Sequence, residues 1–213
     1  MPQLFIIVVL ILSVVIHEVS HGYVAYLLGD RTALYQGRLT LNPLKHIDPI
    51  GSIILPGLLI VTGSPFVIGW AKPVPYNPFN LRNQRWGEAV VAGGGPLANI
   101  LIAVFFGLII RFGSALSLSF IAAAGIVVII NLVLAVFNLV PIPPLDGSKI
   151  LFSILPFSYR KLRFTLERWG LVLVILFVFF FWNLISPIVF HSFSFIVGPN
   201  APTVLSVIFQ GYF

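Results

Sequence analysis

The chain has 213 residues, of which 59% are hydrophobic and 8% are charged, with a mean hydropathy of +1.07 and a formal net charge of +6. Soluble domains carry about a quarter charged residues, so this composition excludes an ordinary soluble protein and predicts an integral membrane protein. The chain has no cysteine. Disulfides and thiolate ligands are therefore excluded, and any bound metal must take nitrogen and oxygen donors.

The first predicted element is a membrane-spanning helix over about Leu4–Leu28 that contains three ionisable side chains. Residues four apart lie on one face of a helix, so His17 and His21 can offer two imidazoles to one metal ion. Glu18 lies about a quarter-turn round, where a zinc hydrolase of the His-Glu-x-x-His type places its general base. Ionisable groups are costly at membrane depth, which favours a metal site over an idle polar cluster or an ion path.

A loop of nearly sixty residues follows this helix. Its first part, Thr32–Leu41, predicts a small β-hairpin around a Gln-Gly turn. The edge of that hairpin would take up an extended substrate by strand addition, and an ordinary hairpin at the membrane surface is the alternative. The apolar run Ile50–Val61 is too short to cross a bilayer and predicts a re-entrant or interfacial segment.

Two further spanning helices are predicted over about Trp86–Phe112 and Leu118–Val140. The glycines of Gly93–Pro96 leave part of the second helix without side chains, which favours close packing against the first helix. Asn99 follows them and needs a hydrogen-bond partner in hydrocarbon. The third helix runs into a proline-rich turn that ends at Asp146.

Asp146 is the remaining candidate ligand. The ends of the first and third predicted helices lie at the same membrane face, so Asp146 can meet His17 and His21. The alternative is that Asp146 caps the N-terminus of a helix that begins near Gly147, which is a common position for aspartate.

A fourth spanning run is predicted over about Phe164–Phe190, and the apolar tail that continues to Phe209 can cross the membrane, lie on its surface or pack on a neighbour. With four crossings, eleven of the 12 basic residues fall on one side and only Arg111 on the other. The positive-inside rule then places the first loop in the cytoplasm and the N-terminus outside the cell membrane. We attribute the net charge to this topology and to anionic lipid, and expect no nucleic-acid partner.

The ordered motifs resemble the site-2 protease family of intramembrane zinc metalloproteases, in its compact bacterial-type branch without a PDZ or CBS domain. The resemblance rests on the His-Glu-x-x-His motif, on Gly95-Pro96-x-x-Asn99, and on Asn138 eight residues before Asp146-Gly147. The stretches His46–Gly51 and Lys72–Pro75 also resemble this branch. Together the motifs span about residues 5 to 155.

The apolar pattern predicts an all-α multi-pass membrane protein whose residues 1–213 form one domain. The resemblance implies a three-helix catalytic core over about residues 4–155, with additional membrane segments over about 164–213. It implies one Zn²⁺ per chain bound by His17, His21 and Asp146, with Glu18 as the catalytic base. Asn138 would help to hold the substrate or its developing oxyanion. The expected substrates are transmembrane segments of other membrane proteins, cleaved within the lipid bilayer in regulated intramembrane proteolysis.

Two other functions fit parts of this pattern. A zinc protease of the prenyl-protein-processing kind is also multi-pass and carries His-Glu-x-x-His, but its third ligand is typically a glutamate, for which Glu88 and Glu167 are the candidates. A divalent-metal transporter without enzymatic activity would need ligands along several helices. The sequence contains six acidic residues and one intramembrane cluster, which favours the protease.

Overall fold

The structure is a computed structural model that describes residues 2–63, 69–83, 86–113, 116–156 and 159–209. Within these ranges the chain forms eight α-helices and no β-strand. The helices are α1 (Pro2–Leu27), α2 (Thr32–Tyr35), α3 (Leu55–Val61), α4 (Gly87–Phe112), α5 (Leu118–Asn138), α6 (Asp146–Ile154), α7 (Arg160–Val197) and α8 (Ala201–Phe209). Short 3₁₀ turns occupy Pro43–His46, Pro78–Asn80 and Gly198–Asn200.

Four helical stretches in the described part of the chain are long and apolar enough to cross a membrane. They are Gln3–Leu27, Gly87–Phe112, Leu118–Asn138 and Asn183–Phe209. The first three confirm the predicted spans. The predicted fourth run, Phe164–Phe190, lies inside α7, which continues beyond it. The fourth stretch that is long and apolar enough to cross, Asn183–Phe209, begins and ends closer to the C-terminus than the predicted run. The apolar tail is therefore part of the fourth stretch.

The short apolar run after the first helix is helical and is too short to cross, as predicted. A π-helical turn at Pro49–Ile54 leads directly into α3. The side chain of Asp48 caps its start by accepting hydrogen bonds from the N–H groups of Ile50 at 3.0 Å and Gly51 at 2.7 Å. These bonds satisfy donors that the first helical turn leaves without a partner.

The predicted hairpin over Thr32–Leu41 is wrong, because this part of the chain contains α2 and no strand. The Gln-Gly pair ends α2 in a Schellman motif instead of joining two strands. The N–H of Arg38 donates to the carbonyl of Ala33 at 2.9 Å, and the N–H of Gly37 donates to that of Leu34 at 3.0 Å. Gly37 adopts the left-handed conformation that this motif requires, with φ of +62°.

Helices α1, α4 and α5 form an antiparallel bundle. Val24, near the end of α1, packs on Gly94 near the start of α4, where an added Cβ would lie 2.8 Å from the Val24 Cγ2 atom. Further along, the amide of Asn99 in α4 reaches the Ser13 carbonyl of α1 at 3.4 Å. The glycine-rich start of α4 therefore lets the two helices approach closely, as predicted from the small residues there.

Helix α7 runs beside α4 in the same direction. Near its start, Arg163 forms an ion pair with Glu88 of the first turn of α4 at 3.6 Å. Near its end, the Phe195 carbonyl accepts a hydrogen bond from Arg111 of the last turn of α4 at 2.9 Å. Helix α7 therefore extends across the whole bundle. An apolar core that includes the fully buried Phe193 joins α7 and α8 to α4 and α5.

Candidate metal centre

His17 and His21 of α1 converge with Asp146, the first residue of α6. The Nε2 atoms of the two histidines lie 3.1 Å apart, and Oδ2 of Asp146 lies 3.1 Å from Nε2 of His17 and 3.0 Å from Nε2 of His21. The three side chains are buried, with exposed fractions of 5 to 7%. Three potential ligand atoms therefore form a nearly equilateral triangle inside the protein.

Local structure explains how Asp146 reaches the two histidines. Helix α6 begins at Asp146 itself, with Leu145 as its N-cap residue and no side-chain capping bond. Gly147 packs directly on the end of α5, where an added Cβ would overlap the carbonyl oxygens of Leu139 and Val140. The missing side chain at residue 147 thus lets the start of α6 lie against the end of α5. The carboxylate of Asp146 faces the histidines instead of capping the helix.

The hydrogen-bond partner of Nδ1, the ring nitrogen of His21 that lies outside the triangle, determines which ring nitrogen holds the proton. Nδ1 of His21 lies 2.7 Å from the carbonyl oxygen of Val91 in α4. A carbonyl oxygen can only accept a hydrogen bond, so we assign the proton of the neutral ring to Nδ1. Nε2 of His21 then directs a lone pair at the centre of the triangle.

A chain of buried amides determines the proton position on His17 in the same way. Asn131 of α5 donates from Nδ2 to the carbonyl of Val127 at 2.9 Å, so its Oδ1 must face Asn99. Asn99 donates to that oxygen at 2.7 Å, which turns its own Oδ1 toward His17 Nδ1 at 2.5 Å. Asn131 also donates to the hydroxyl of Ser13 at 3.0 Å. The Nδ1 of His17 is therefore the donor, and its Nε2 also directs a lone pair inward.

With both rings neutral, three lone pairs thus meet at 3.0 to 3.1 Å. A cation at their centre would offset the electrostatic repulsion between these lone pairs. A tetrahedral zinc ion with bonds of about 2.0–2.1 Å holds its ligand atoms about 3.4 Å apart, close to the observed spacing. Two imidazoles and one carboxylate are also a donor set that catalytic zinc sites use, and they leave a fourth position open. The residues present therefore fit zinc.

Gly95 provides the space beside this triangle. An added Cβ at residue 95 would lie 2.5 Å from Nε2 of His21 and 2.6 Å from Nε2 of His17. Any side chain at residue 95 would press against both metal-facing nitrogens. The predicted role of this glycine in close helix packing is therefore too narrow, because residue 95 borders the candidate metal centre itself.

Glu18 is hydrogen-bonded to the long loop between α1 and α4. Its Oε2 accepts a hydrogen bond from the backbone N–H of Val74 at 2.9 Å. Val74 belongs to a segment of residues 70–77, named here the proline-rich segment, and its side chain is buried against Gly22 of α1. Arg38 anchors this segment by donating to the carbonyl of Lys72 at 2.9 Å and to that of Pro73 at 3.2 Å.

Asp30 anchors the far end of the proline-rich segment. Asp30 is 1% exposed, and its carboxylate accepts hydrogen bonds from Asn77 N–H at 2.7 Å and from Asn80 Nδ2 at 2.8 Å. It also accepts from the Thr32 hydroxyl at 2.6 Å. Burial alone would raise the pKa of Asp30, but the hydrogen bonds from Thr32, Asn80 and Asn77 outweigh burial and hold the pKa below its ordinary value.

Three other residues that the sequence analysis singled out do not lie in the triangle. Among the described residues Asn138 does not hydrogen-bond to the triangle, and its amide donates to the carbonyl of Leu134 in its own helix at 2.9 Å. Glu88 and Glu167, the alternative third ligands, both pair with Arg163 at the start of α7. The acidic group that meets the two histidines is therefore Asp146.

Asn131 is a buried polar residue of this site that the sequence analysis missed. It is fully buried in an otherwise apolar helix and connects Ser13 to Asn99. An amide in a membrane-spanning segment needs a partner, which is the signal that singled out Asn99. The same signal could have identified Asn131.

Comparisons with known proteins identify the family of the chain. Residues 108–181, which include Asp146, match the model of Peptidase family M50. The chain is 38% identical over 183 residues to "Putative zinc metalloprotease YwhC" of Bacillus subtilis, which covers 82% of this chain and 80% of that protein. It is 31% identical over 166 residues to "Putative zinc metalloprotease Rip2" of Mycolicibacterium smegmatis, covering 78% of this chain and 62% of that protein. A comparison with solved structures gives no match. The chain therefore belongs to peptidase family M50, the site-2 protease family whose motifs it carries.

Proposed function

We propose that this chain is an intramembrane zinc metalloprotease that hydrolyses peptide bonds within or near transmembrane segments of other membrane proteins. One observation carries the proposal, namely that the potential ligand atoms of His17, His21 and Asp146 lie within 3.1 Å of one another, beside apolar helices long enough to cross a membrane. The names of the relatives support zinc as the metal. An intramembrane substrate follows from helices long enough to cross a bilayer around the site.

The proposed roles of the residues follow from their positions. Zinc held by the two histidines and Asp146 would supply Lewis-acid chemistry, polarising the scissile carbonyl and lowering the pKa of a water molecule. Glu18 is the proposed general base, which takes a proton from the attacking water and returns it to the leaving amine. The hydrogen bond from Val74 would hold its carboxylate in one orientation.

Asn138 is the proposed contact for the substrate carbonyl or its oxyanion. It is the last residue of α5, immediately before the turn that leads to Asp146. The amide nitrogen has two hydrogens, of which the Leu134 carbonyl takes one. The other hydrogen would be free for an oxygen of the substrate.

The proposed orientation places the metal centre nearer the cytoplasm. The start of α4 and the start of α7 lie at one end of the bundle, where Glu88 meets Arg163, and Arg111 lies at the other end. In the topology predicted from the sequence, eleven of the 12 basic residues fall on the side of the first of these ends. The positive-inside rule then puts the first loop and the opening of the site in the cytoplasm and the N-terminus outside. Cysteine labelling of Gln36 and Arg111 variants from either side of the membrane tests this orientation.

The experiment that tests the function uses purified wild-type chain in proteoliposomes. It compares a model transmembrane substrate with a water-soluble peptide of the same cleavage sequence but without the apolar flanks. We expect cleavage of the transmembrane substrate, loss of cleavage with a chelator and recovery with one equivalent of Zn²⁺. Protein that binds no zinc, or that cleaves the soluble peptide alone, would contradict the proposed function.

A further inference from the structure

Lys149 contacts the candidate metal centre but has no role in the proposed mechanism. It lies three residues after Asp146 on α6, and its ammonium nitrogen is 3.3 Å from Oδ1 of Asp146. The other carboxylate oxygen, Oδ2, faces both histidines at 3.0 and 3.1 Å. The two oxygens of one carboxylate therefore have separate partners, one cationic and one formed by two imidazoles.

The Lys149 ammonium also lies over the ring of Tyr76, 5.7 Å from its centroid. Tyr76 belongs to the proline-rich segment, whose Val74 N–H binds Glu18. A cation facing an aromatic ring is attracted by the negative face of the ring. Lys149 thus connects the start of α6 to the segment that holds the proposed base, and both of its contacts favour a single side-chain position.

The division of the Asp146 oxygens matters for metal binding. A carboxylate can rotate about its Cβ–Cγ bond and can ligate a metal through one oxygen or through both. If both oxygens bound, the carboxylate would take up the position that a catalytic zinc site leaves open for water or substrate. An ammonium attached to Oδ1 keeps that oxygen away from the centre, and groups that orient a ligand in this way strengthen metal binding.

We propose that Lys149 is a positioning residue of the metal centre, which holds Oδ1 of Asp146 so that the carboxylate binds the metal through Oδ2 alone. This inference rests on the proposed function, since it concerns the same metal. Lys149→Met removes the ammonium but keeps an unbranched side chain of similar length. Lys149→Arg keeps the cation and can still reach both Oδ1 and the Tyr76 ring.

The test measures metal binding to the metal-free full-length protein in detergent, by competition with a chromophoric zinc chelator and by the visible absorption spectrum of bound Co²⁺. We expect Lys149→Met to weaken zinc binding about 10- to 100-fold. The Co²⁺ absorption spectrum of this variant should also change, because Oδ1 of Asp146 would then occupy the position otherwise open to water. The zinc affinity of Lys149→Arg should lie within a few-fold of the wild-type value. Lys45→Met, which removes an exposed lysine from the loop between α1 and α4, should bind zinc with wild-type affinity.

If Lys149→Met unfolds in detergent, Lys149→Gln replaces it in the same measurements. Wild-type zinc affinity and an unchanged Co²⁺ spectrum in the folded variant would overturn the inference while leaving the proposed function intact. A wild-type protein that binds no zinc would overturn both. Equal weakening in Lys149→Arg and Lys149→Met would also overturn the inference, since the cation would then be irrelevant.

Discussion

The carboxylate of Glu18 and the backbone N–H of Val74 form a 2.9 Å hydrogen bond between residues that are 56 positions apart in the chain. Val74 lies between Pro73 and Pro75, neither of which has an N–H group. It is therefore the single backbone donor among three consecutive residues. Because Arg38 and Asp30 hold the same segment at both ends, the position of the proposed base depends on the long loop as well as on α1.

Replacing Val74 by proline tests this dependence. Val74→Pro removes the N–H, and a hydrogen bond to a charged group is worth about 1.5–3 kcal/mol. We expect turnover of a transmembrane substrate to fall by about ten- to a hundredfold while zinc affinity stays at the wild-type value. Val74→Ala is the control, since it loses the packing against Gly22 but keeps the donor. Equal activity of the two variants would show that the hydrogen bond does not matter.

The space at Gly95 provides a second test, with a control in the same helix turn. Gly95→Ala would place a methyl group against Nε2 of both His17 and His21, so we expect zinc affinity to fall at least tenfold. Gly93→Ala meets no atom within 4 Å and should retain zinc, with a gain in helix stability of up to about 1 kcal/mol. Isothermal titration of both metal-free variants with Zn²⁺ measures the difference. Wild-type affinity in Gly95→Ala would contradict the geometry of the centre.

The buried amides behind His17 give a third prediction. Asn99→Leu removes the acceptor that orients the His17 ring, and loss of such a partner typically costs about 10- to 100-fold in metal affinity. Asn131 is connected to His17 only through Asn99, so we expect Asn131→Leu to cause a smaller loss of zinc affinity, together with a loss of about 1–3 kcal/mol in stability. Asn138→Leu should leave zinc affinity unchanged, because its amide donates to its own helix. A larger effect of Asn138→Leu than of Asn99→Leu would disprove this order.

The parts of the site that depend on one helix could be predicted from local signals, because the spacing of His17 and His21 requires only helix geometry. Asp146 required one further step, namely that the first and third predicted helices end at the same membrane face. The β-hairpin was wrong because a Gln-Gly pair can join two strands or end a helix, and the choice depends on contacts that Ala33 and Arg38 make. The Val74 donor was beyond sequence reasoning, since a backbone amide carries no residue-type signal.

The carboxylate of Asp30 makes the stability of the loop depend on pH. Its pKa is lowered in the folded state, so its contribution is fully present above the unfolded value of about 3.9 and is lost as the pH falls through the folded value. We expect wild type to unfold at a higher temperature than Asp30→Asn at pH 7, and this advantage to shrink at about pH 3. Thermal unfolding in detergent at both pH values measures it. A constant difference between the two proteins would contradict the assignment.

Zinc titration combined with a cleavage assay, performed on Glu18→Gln and Asp146→Ala, tests the central claim most directly. Glu18→Gln keeps the size of the side chain but cannot take a proton, so it should bind one zinc with wild-type affinity and fail to cleave a transmembrane substrate. Asp146→Ala removes one of three protein ligands and should lose both zinc affinity and cleavage. The account would be contradicted if Asp146→Ala kept tight, stoichiometric zinc while Glu88→Ala or Glu167→Ala lost it.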